Sequence, residues 1–156
     1  MRKGKKSMSK GVLTVVSGFS GAGKGTVMRR LLEKYDDCVL SISVTTRKPR
    51  EGEVDGRDYF FRTKEEVEAM IEADELLEYA QYVENYYGTP RAYVEEMLSR
   101  GKNVILEIEI QGAMKIKEKI SDTVLVFVTP PTIRELKNRL VGRGTETQAV
   151  IESRLR

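Results

Sequence analysis

The sequence predicts an α/β fold, a mostly parallel sheet flanked by helices, and three observations carry that prediction. Short apolar runs alternate with amphipathic stretches along most of the 156 residues. The first run, Val12-Leu13-Thr14-Val15-Val16, leads directly into the glycine-rich segment Gly18-Phe19-Ser20-Gly21-Ala22-Gly23-Lys24-Gly25-Thr26. Helix-start signals recur between the runs: Thr63-x-x-Glu66, Thr132-x-x-Glu135 and Thr145-x-x-Gln148.

Taken in order, Val12 to Ser17 reads as a buried parallel strand, and Thr26 to Tyr35 as a helix with Val27, Leu31 and Leu32 on one side. A second strand is expected over Cys38 to Ser43. Arg47 to Asp58 lacks apolar periodicity and carries the breakers Pro49, Gly52 and Gly56. The Thr63 box opens a helix that turns Val67, Met70 and Ile71 inward. Leu76 to Val83 reads as a strand, Tyr86-Tyr87-Gly88-Thr89-Pro90 as a turn, and the next stretch as a helix stopped by Gly101. Asn103 to Glu109 is apolar and then acidic, the pattern of a buried strand ending at a site. Ala113, Ile116 and Ile120 mark another helix, and Thr123 to Val128 another buried strand. The Thr132 box opens a helix carrying Ile133, Leu136 and Leu140, broken by Gly142-Arg143-Gly144. The helix begun at Thr145 shows no stop signal before Arg156, so the chain is expected to end inside an element.

Composition narrows the function classes. Length suits one domain, or one with a small insert. A single cysteine, Cys38, excludes an internal disulfide and, with no secretory pattern, points to a cytoplasmic protein. Cys38 itself reads as a small buried side chain. No apolar run approaches membrane-spanning length. There is no histidine, which removes imidazole acid–base chemistry and makes a Cys/His metal site unexpected. The net charge of +3 is concentrated in residues 1–10, which hold five basic side chains and no acid; 22 basic and 24 acidic residues remain. No nucleic-acid partner is therefore expected, and the basic start reads as a solvated tail.

The glycine-rich segment is the physical recipe for a phosphate cradle. Glycines let successive N–H groups point at one anion, Lys24 adds a full charge, and the following helix aims its positive end at the same place. The G-x-x-x-x-G-K pattern fits Gly18 to Lys24, with Gly25 where a Ser or Thr is usual. Arg47 and Arg50 offer planar forks for a phosphate, with Tyr59 as a further donor; taken alone, the segment also fits a solvated basic loop. Glu78 could accept two hydrogen bonds from guanine N1–H and N2–H₂, an edge adenine lacks, with Thr89 or Ser43 donating to O6. Thr89 before Pro90 also fits a helix N-cap. Glu107 and Glu109 at a strand end are expected to face opposite ways and take different tasks, one near metal or water and one near the acceptor. Arg139 and Arg143, four apart, share a helix face, and Arg154 could reach in from the next helix. Such equipment suits phosphoryl transfer, and an acceptor phosphate needs no general base.

Together these motifs resemble the guanylate kinase family. The matching stretches are 18–26, SVTTRKPREGEVDGRDY (Ser43 to Tyr59), Leu77 to Ala80, NYYGTP (Asn85 to Pro90), LEIEIQGA (Leu106 to Ala113) and RLVGRGTE (Arg139 to Glu146). The resemblance implies transfer of the γ-phosphate of ATP to GMP, giving ADP and GDP, with Mg²⁺. It implies a P-loop NTPase-type core at 11–43 and 90–134, a small α+β GMP-binding insert at 44–89, and a helical lid at 135–156. ATP phosphates would be held by Gly18, Ser20, Gly21, Ala22, Gly23, Lys24, Gly25 and Thr26. GMP would be held by Ser43, Arg47, Arg50, Tyr59, Glu78, Tyr87, Thr89 and Glu109. Lys24, Arg47, Arg139, Arg143 and Arg154 would carry catalysis, with no direct protein ligand to the metal and Glu107 acting on it through water.

The sequence departs from the family pattern at Phe19, where Pro is common, and at Glu107 and Glu109, where Asp is frequent. Gly25 removes a side-chain oxygen that other P-loops offer Mg²⁺. The family continues beyond the equivalent of Arg156, so an incomplete donor site is expected, and an inactive shortened chain is one alternative. The other is a non-catalytic guanylate-kinase-like binding module, which would be expected to lose loop residues that are present here, Lys24 among them.

Overall fold

The computed structural model describes residues 10–82 and 84–143; for Arg143 it describes the backbone alone. The elements run β1 (Leu13–Gly18), α1 (Lys24–Lys34), β2 (Cys38–Leu40), β3 (Val44–Thr45), β4 (Phe60–Phe61), α2 (Lys64–Glu72), β5 (Leu76–Tyr82), β6 (Asn85–Pro90), α3 (Arg91–Ser99), β7 (Asn103–Glu107), α4 (Ile110–Lys119), β8 (Val124–Val128) and α5 (Ile133–Arg143). The basic residues 1–9, the helix expected from Thr145 and Arg154 lie outside the described residues.

Two four-stranded sheets organise the chain. The first has the order β2-β7-β1-β8, and its pairings are all parallel. Parallel neighbours require crossovers, and α1, α3 and α4 lie in those crossovers. The main core packs Leu13 and Val15 of β1 with Val104 and Leu106 of β7, Val94 and Leu98 of α3, and Ala113 and Ile116 of α4. Burying a side chain of this size contributes about 1.5–3 kcal/mol. The second sheet, β4-β3-β6-β5, is mixed, with β3 parallel to β4 and the β5–β6 pair antiparallel. Its small core joins Val44, Val67 and Leu76, with Met70 and Ile71 packed alongside. The Thr63 box is complete: Glu66 N donates to Thr63 Oγ1 at 3.2 Å and Thr63 N donates to Glu66 Oε2 at 2.7 Å.

Four expectations need correction. The second strand stops at Leu40, and Val44–Thr45 joins the other sheet instead, so the chain leaves one sheet for the other at 41–43. Tyr86 to Pro90 is strand, not turn; its two tyrosines favour a pleated surface, and Gly88 leaves room for Leu76 Cδ1 and Glu78 O, which a Cβ would meet at 2.8 and 3.2 Å. Glu84 is a turn residue between β5 and β6. The helix α5 runs through Gly142 to Arg143, buries Leu136 and Leu140, and leaves Ile133 71% exposed. In α1 the buried residue is Met28, one position beyond Val27.

The strand β8 differs most. Its run Val124-Leu125-Val126-Phe127 reads as a two-sided buried strand, yet these side chains are 38–48% exposed. The reason is topological: β8 is the sheet's edge. On the α1 side an apolar groove of about 380 Å³ opens between Val27, Met28 and Leu31 and the strand residues Val12, Val16, Val126 and Val128.

Candidate active site

The first half of the site is the turn between β1 and α1. Gly18, Gly21 and Gly23 hold φ of 146°, 85° and 101°, conformations that side chains with a Cβ rarely adopt. Gly23 caps α1 with no side-chain hydrogen bond. Among the described residues, no acceptor meets the backbone N–H of Gly21, Gly23, Lys24 or Gly25. Four donors at a helix N-terminus are thus left without a protein acceptor, which suits an anion. Lys24 Nζ donates to Gly18 O at 2.9 Å and Phe19 O at 3.2 Å, so its charge is pinned across the loop. Phe19 meets Phe127 edge-on at 5.4 Å.

The helix α5 stands over this loop. A Cβ on Gly21 would lie 3.1 Å from Leu140 Cδ2. Arg139 donates from Nη1 to Ala22 O at 3.1 Å and from Nε to Glu135 Oε1 at 2.8 Å. Gly21, Ala22, Gly23, Thr26, Val27, Arg139 and Gly142 enclose a cleft of about 560 Å³, within the size range of small-ligand sites. Ser20 is exposed and does not line this cleft. The side chain of Arg143 and all of Arg154 lie outside the described residues.

The second half lies where the two sheets meet. A cleft of about 340 Å³ is lined by Leu40 and Ser41 after β2, Ser43, Asp58, Tyr59, and Leu106, Glu107 and Ile108 at the end of β7. It shares the carboxyl edge of the parallel sheet with the phosphate loop, because Glu107 pairs with Val16, two residues before Gly18.

Deeper in the second sheet, Glu78 of β5 is buried. Thr89 Oγ1, itself fully buried, donates to Glu78 Oε1 at 2.7 Å. A carboxylate held this way keeps its other oxygen for an incoming donor pair. Burial pushes the Glu78 carboxyl above the ordinary glutamate range, and the charge of Glu109 adds to the rise; the Thr89 hydrogen bond and the charges of Lys115 and Lys119 oppose it. Space for the carboxylate comes from Gly112 of α4, where a Cβ would stand 3.1 Å from Glu78 Oε2. Ser43 does not touch this pair among the described residues; extending the Val44–Gly88 register one step sets it opposite Thr89.

Arg47 follows β3 by two residues. Its guanidinium is held by Glu53 through Nη1 to Oε2 and Nη2 to Oε1, both 2.9 Å, and donates again from Nη1 to Lys48 O at 2.8 Å. Tyr59 and Phe61 lie 5.4 and 5.9 Å from its centre, and Tyr87 meets Tyr59 edge-on at 6.3 Å. Arg50 is exposed and contributes its backbone N–H to Glu53 Oε2 at 2.7 Å.

Glu107 and Glu109 do face different surroundings, but not through alternation along one strand, since positions i and i+2 share a face. The strand β7 ends at Glu107, and Glu109 has turned into the N-cap of α4. Glu107 opens on the 340 Å³ cleft, and Glu109 is close enough to Glu78 to raise its pKa. Sequence reasoning missed Glu53 and Gly112. Glu53 follows the cations of 47–50 but shares the segment with Glu51, Asp55 and Asp58, so only the neighbouring arginines were a signal for the first; nothing local marks the second.

The comparisons agree with this geometry. The family model for guanylate kinase matches residues 10–156. The guanylate kinase of Enterococcus faecalis (strain ATCC 700802 / V583) is 58% identical over 147 residues, covering 94% of this chain and 72% of that protein. That of Clostridioides difficile (strain 630) is 59% identical with the same coverage. The crystal structure of guanylate kinase from Anaplasma phagocytophilum is similar with a TM-score of 0.67 at 36% identity, over 93% of this chain and 72% of that one. No described helix is long and apolar enough to cross a membrane. The chain belongs to the guanylate kinase family and so to the nucleoside monophosphate kinases.

Proposed function

We propose that this chain moves the γ-phosphoryl group of ATP to GMP, as a cytosolic enzyme of purine nucleotide metabolism. The observation that carries the acceptor's identity is the buried Glu78–Thr89 pair at 2.7 Å. Guanine N1–H and N2–H₂ match the carboxylate; because the Thr89 hydroxyl hydrogen is given to Glu78, donation to O6 would fall to Ser43 rather than Thr89. Adenine presents no such donor edge. With the base so held, Arg47, Arg50, Tyr59 and Tyr87 surround the GMP phosphate, and Glu109 stands beside Glu78.

The loop of Gly18 to Thr26 takes the ATP phosphates. Its donors are fixed before any ligand arrives, so little reorganisation is needed as charge develops on the transferring group. Lys24 and Arg139 add positive charge, with Arg143 and Arg154 completing a lid at 135–156 that excludes water on closure. Mg²⁺ fits the donor set: it prefers oxygen ligands and retains water, and Glu107 offers an exposed carboxylate beside the loop. When bound, it supplies charge neutralisation between the phosphates. No residue need act as a base, because a phosphate oxygen is already an anionic nucleophile.

A coupled ADP-release assay with ATP, Mg²⁺ and GMP tests this reading. GMP-dependent turnover is expected, and none with AMP. Equal turnover with both nucleotides would contradict the assignment of Glu78.

Gly112→Ala gives a subtler expectation. A helix interior gains about 1 kcal/mol from Ala over Gly, while the new methyl crowds Glu78 Oε2 and Ile108 Cδ1 at 3.1 and 3.2 Å. Overpacking costs about 1–3 kcal/mol, so the two nearly offset. Thermal unfolding should change little while calorimetry shows GMP affinity reduced about tenfold, because the carboxylate is displaced.

A further inference from the structure

The ladder between β5 and β6 changes register where Glu78 sits. Leu76 pairs with Pro90, whereas Tyr79 pairs with Gly88, so Leu77 and Glu78 together oppose the single residue Thr89. This is a β-bulge, a device that bends a strand and re-aims a side chain. Strict alternation would put Leu77 and Glu78 on opposite faces. Instead both turn toward α4: Leu77 joins the core that holds Ala113 and Ile116, and Glu78 Oε2 stands 3.1 Å from the point where a Cβ on Gly112 would lie. Leu76 takes the other face, with Val44 and Val67. The bulge therefore turns Glu78 away from the second sheet's own core.

Register is set by what pins a strand on each side, and here both sides of the bulge are pinned. Toward the hairpin, four regular pairs run from Tyr79 with Gly88 to Tyr82 with Asn85. At the open end, Arg91 closes the ladder just past Pro90. Its backbone N donates to Glu75 O at 2.8 Å, its Nε to Asp74 O at 3.0 Å and its Nη2 to Asp74 Oδ2 at 2.7 Å. Lys119, the last residue of α4, reaches the same corner, donating from Nζ to Asp74 Oδ1 at 3.2 Å and to Leu76 O at 3.3 Å. Asp74 makes the corner with φ of 52°, the one non-glycine in the left-handed region among the described residues, and aspartate tolerates that conformation better than most side chains. Arg91 is also the first residue of α3, where a cation opposes the helix dipole. Helix formation gives no reason for an arginine there; the fork onto Asp74 does.

We propose that Arg91 is a positioning residue for nucleobase recognition: by tying the end of β6 to the Asp74 corner it traps the bulge at Leu77 and Glu78, and the bulge presents the Glu78 carboxylate to Thr89 and to the acceptor's base. Arg91 lines neither cleft of the site and acts through β5. The proposal rests on the reading of GMP as acceptor.

The test is calorimetric titration of GMP and of AMP into the wild-type chain, Glu78→Gln, and the variants Arg91→Ala and Arg91→Lys, each alone and combined with Glu78→Gln. In the wild type, GMP is expected to bind more tightly than AMP; equal binding would sink the acceptor reading itself, and this proposal with it. Given that preference, Arg91→Ala should weaken GMP about tenfold and leave AMP unchanged. Arg91→Lys keeps the charge but not the fork, so its GMP affinity should fall between the two, and it carries the same comparison if the alanine variant does not fold. KM for GMP should rise more than kcat falls. The melting temperature should drop by only about 2–4 °C, because a partly exposed ion pair contributes little. In the Glu78→Gln background, neither Arg91 variant should weaken GMP further, the signature of action through that residue. Unchanged GMP affinity in both Arg91 variants, or the same fold loss with and without the Glu78 carboxylate, overturns the proposal.

Discussion

Replacing Lys24 by Met is expected to lower kcat about a thousandfold, a loss on the order of 4 kcal/mol of transition-state stabilisation. Methionine keeps an unbranched apolar stem but removes the terminal ammonium with its charge and three donors. The backbone cradle survives, since its shape comes from glycine φ angles and from bonds such as Ala22 N to Phe19 O at 3.1 Å. What disappears is the ammonium held at the loop's mouth by Gly18 O and Phe19 O. Losing those two partly exposed bonds costs about 1 kcal/mol of stability, so the variant remains folded. GMP affinity should not change, because the acceptor residues are carried by the second sheet. Single-turnover kinetics with GMP titration checks both halves; a variant that keeps its kcat, or loses GMP binding with it, would separate Lys24 from the transfer step.

Glu78→Gln is the second large effect, and it acts in opposite directions on binding and stability. The amide turns one acceptor into a donor, which meets a guanine N–H head-on. Hydrogen bonds to a charged group contribute about 1.5–3 kcal/mol, so GMP should weaken about a hundredfold while AMP is unaffected. For stability, the sign follows from the raised pKa. In the folded chain the buried carboxylate is disfavoured in its charged form, so the chain is relatively more stable where Glu78 is protonated in both states. That advantage is lost as the pH rises from the ordinary glutamate range through the raised titration of Glu78. Glutamine carries no charge at any pH and still accepts from Thr89. The ligand-free variant should therefore melt higher than the wild type at pH 7, with the gap closing as the pH falls below the ordinary glutamate range. A lower melting temperature at pH 7 would contradict the assignment of burial as the dominant cause.

The loop of Gly18 to Lys24 was legible from sequence because its shape is local. Backbone curvature there demands glycine, and the charge demands lysine, within one contiguous segment. The Thr63 box was legible for the same reason. Features set by partners distant in the chain were not. The NYYGTP segment carries Gly and Pro, which ordinarily punctuate turns, yet it is a strand because β3 and β5 bracket it. Its Gly88 admits Leu76 rather than a bend. The run at 124–128 has the composition of an interior strand, but strand order places it at the edge. Exposure is a property of the whole sheet and leaves no mark in five apolar residues.

The proposed acceptor half shows the same division. Residue types at Arg47, Tyr59, Glu78 and Thr89 marked chemistry, but not orientation. The 2.7 Å bond that fixes Glu78 spans two strands, and the room for its carboxylate comes from a helix more than thirty residues later. The different surroundings of Glu107 and Glu109 came from the point at which a strand ended, which periodicity alone does not locate.

The central claim is that the buried Glu78–Thr89 pair makes the acceptor half of this chain a guanine-selective nucleotide site. Calorimetric titration of the purified chain with GMP and, separately, AMP tests it most directly. GMP should bind at least a hundredfold more tightly than AMP, with that gap largely closed in Glu78→Gln. Comparable affinities for the two nucleotides in the wild-type chain would contradict the claim.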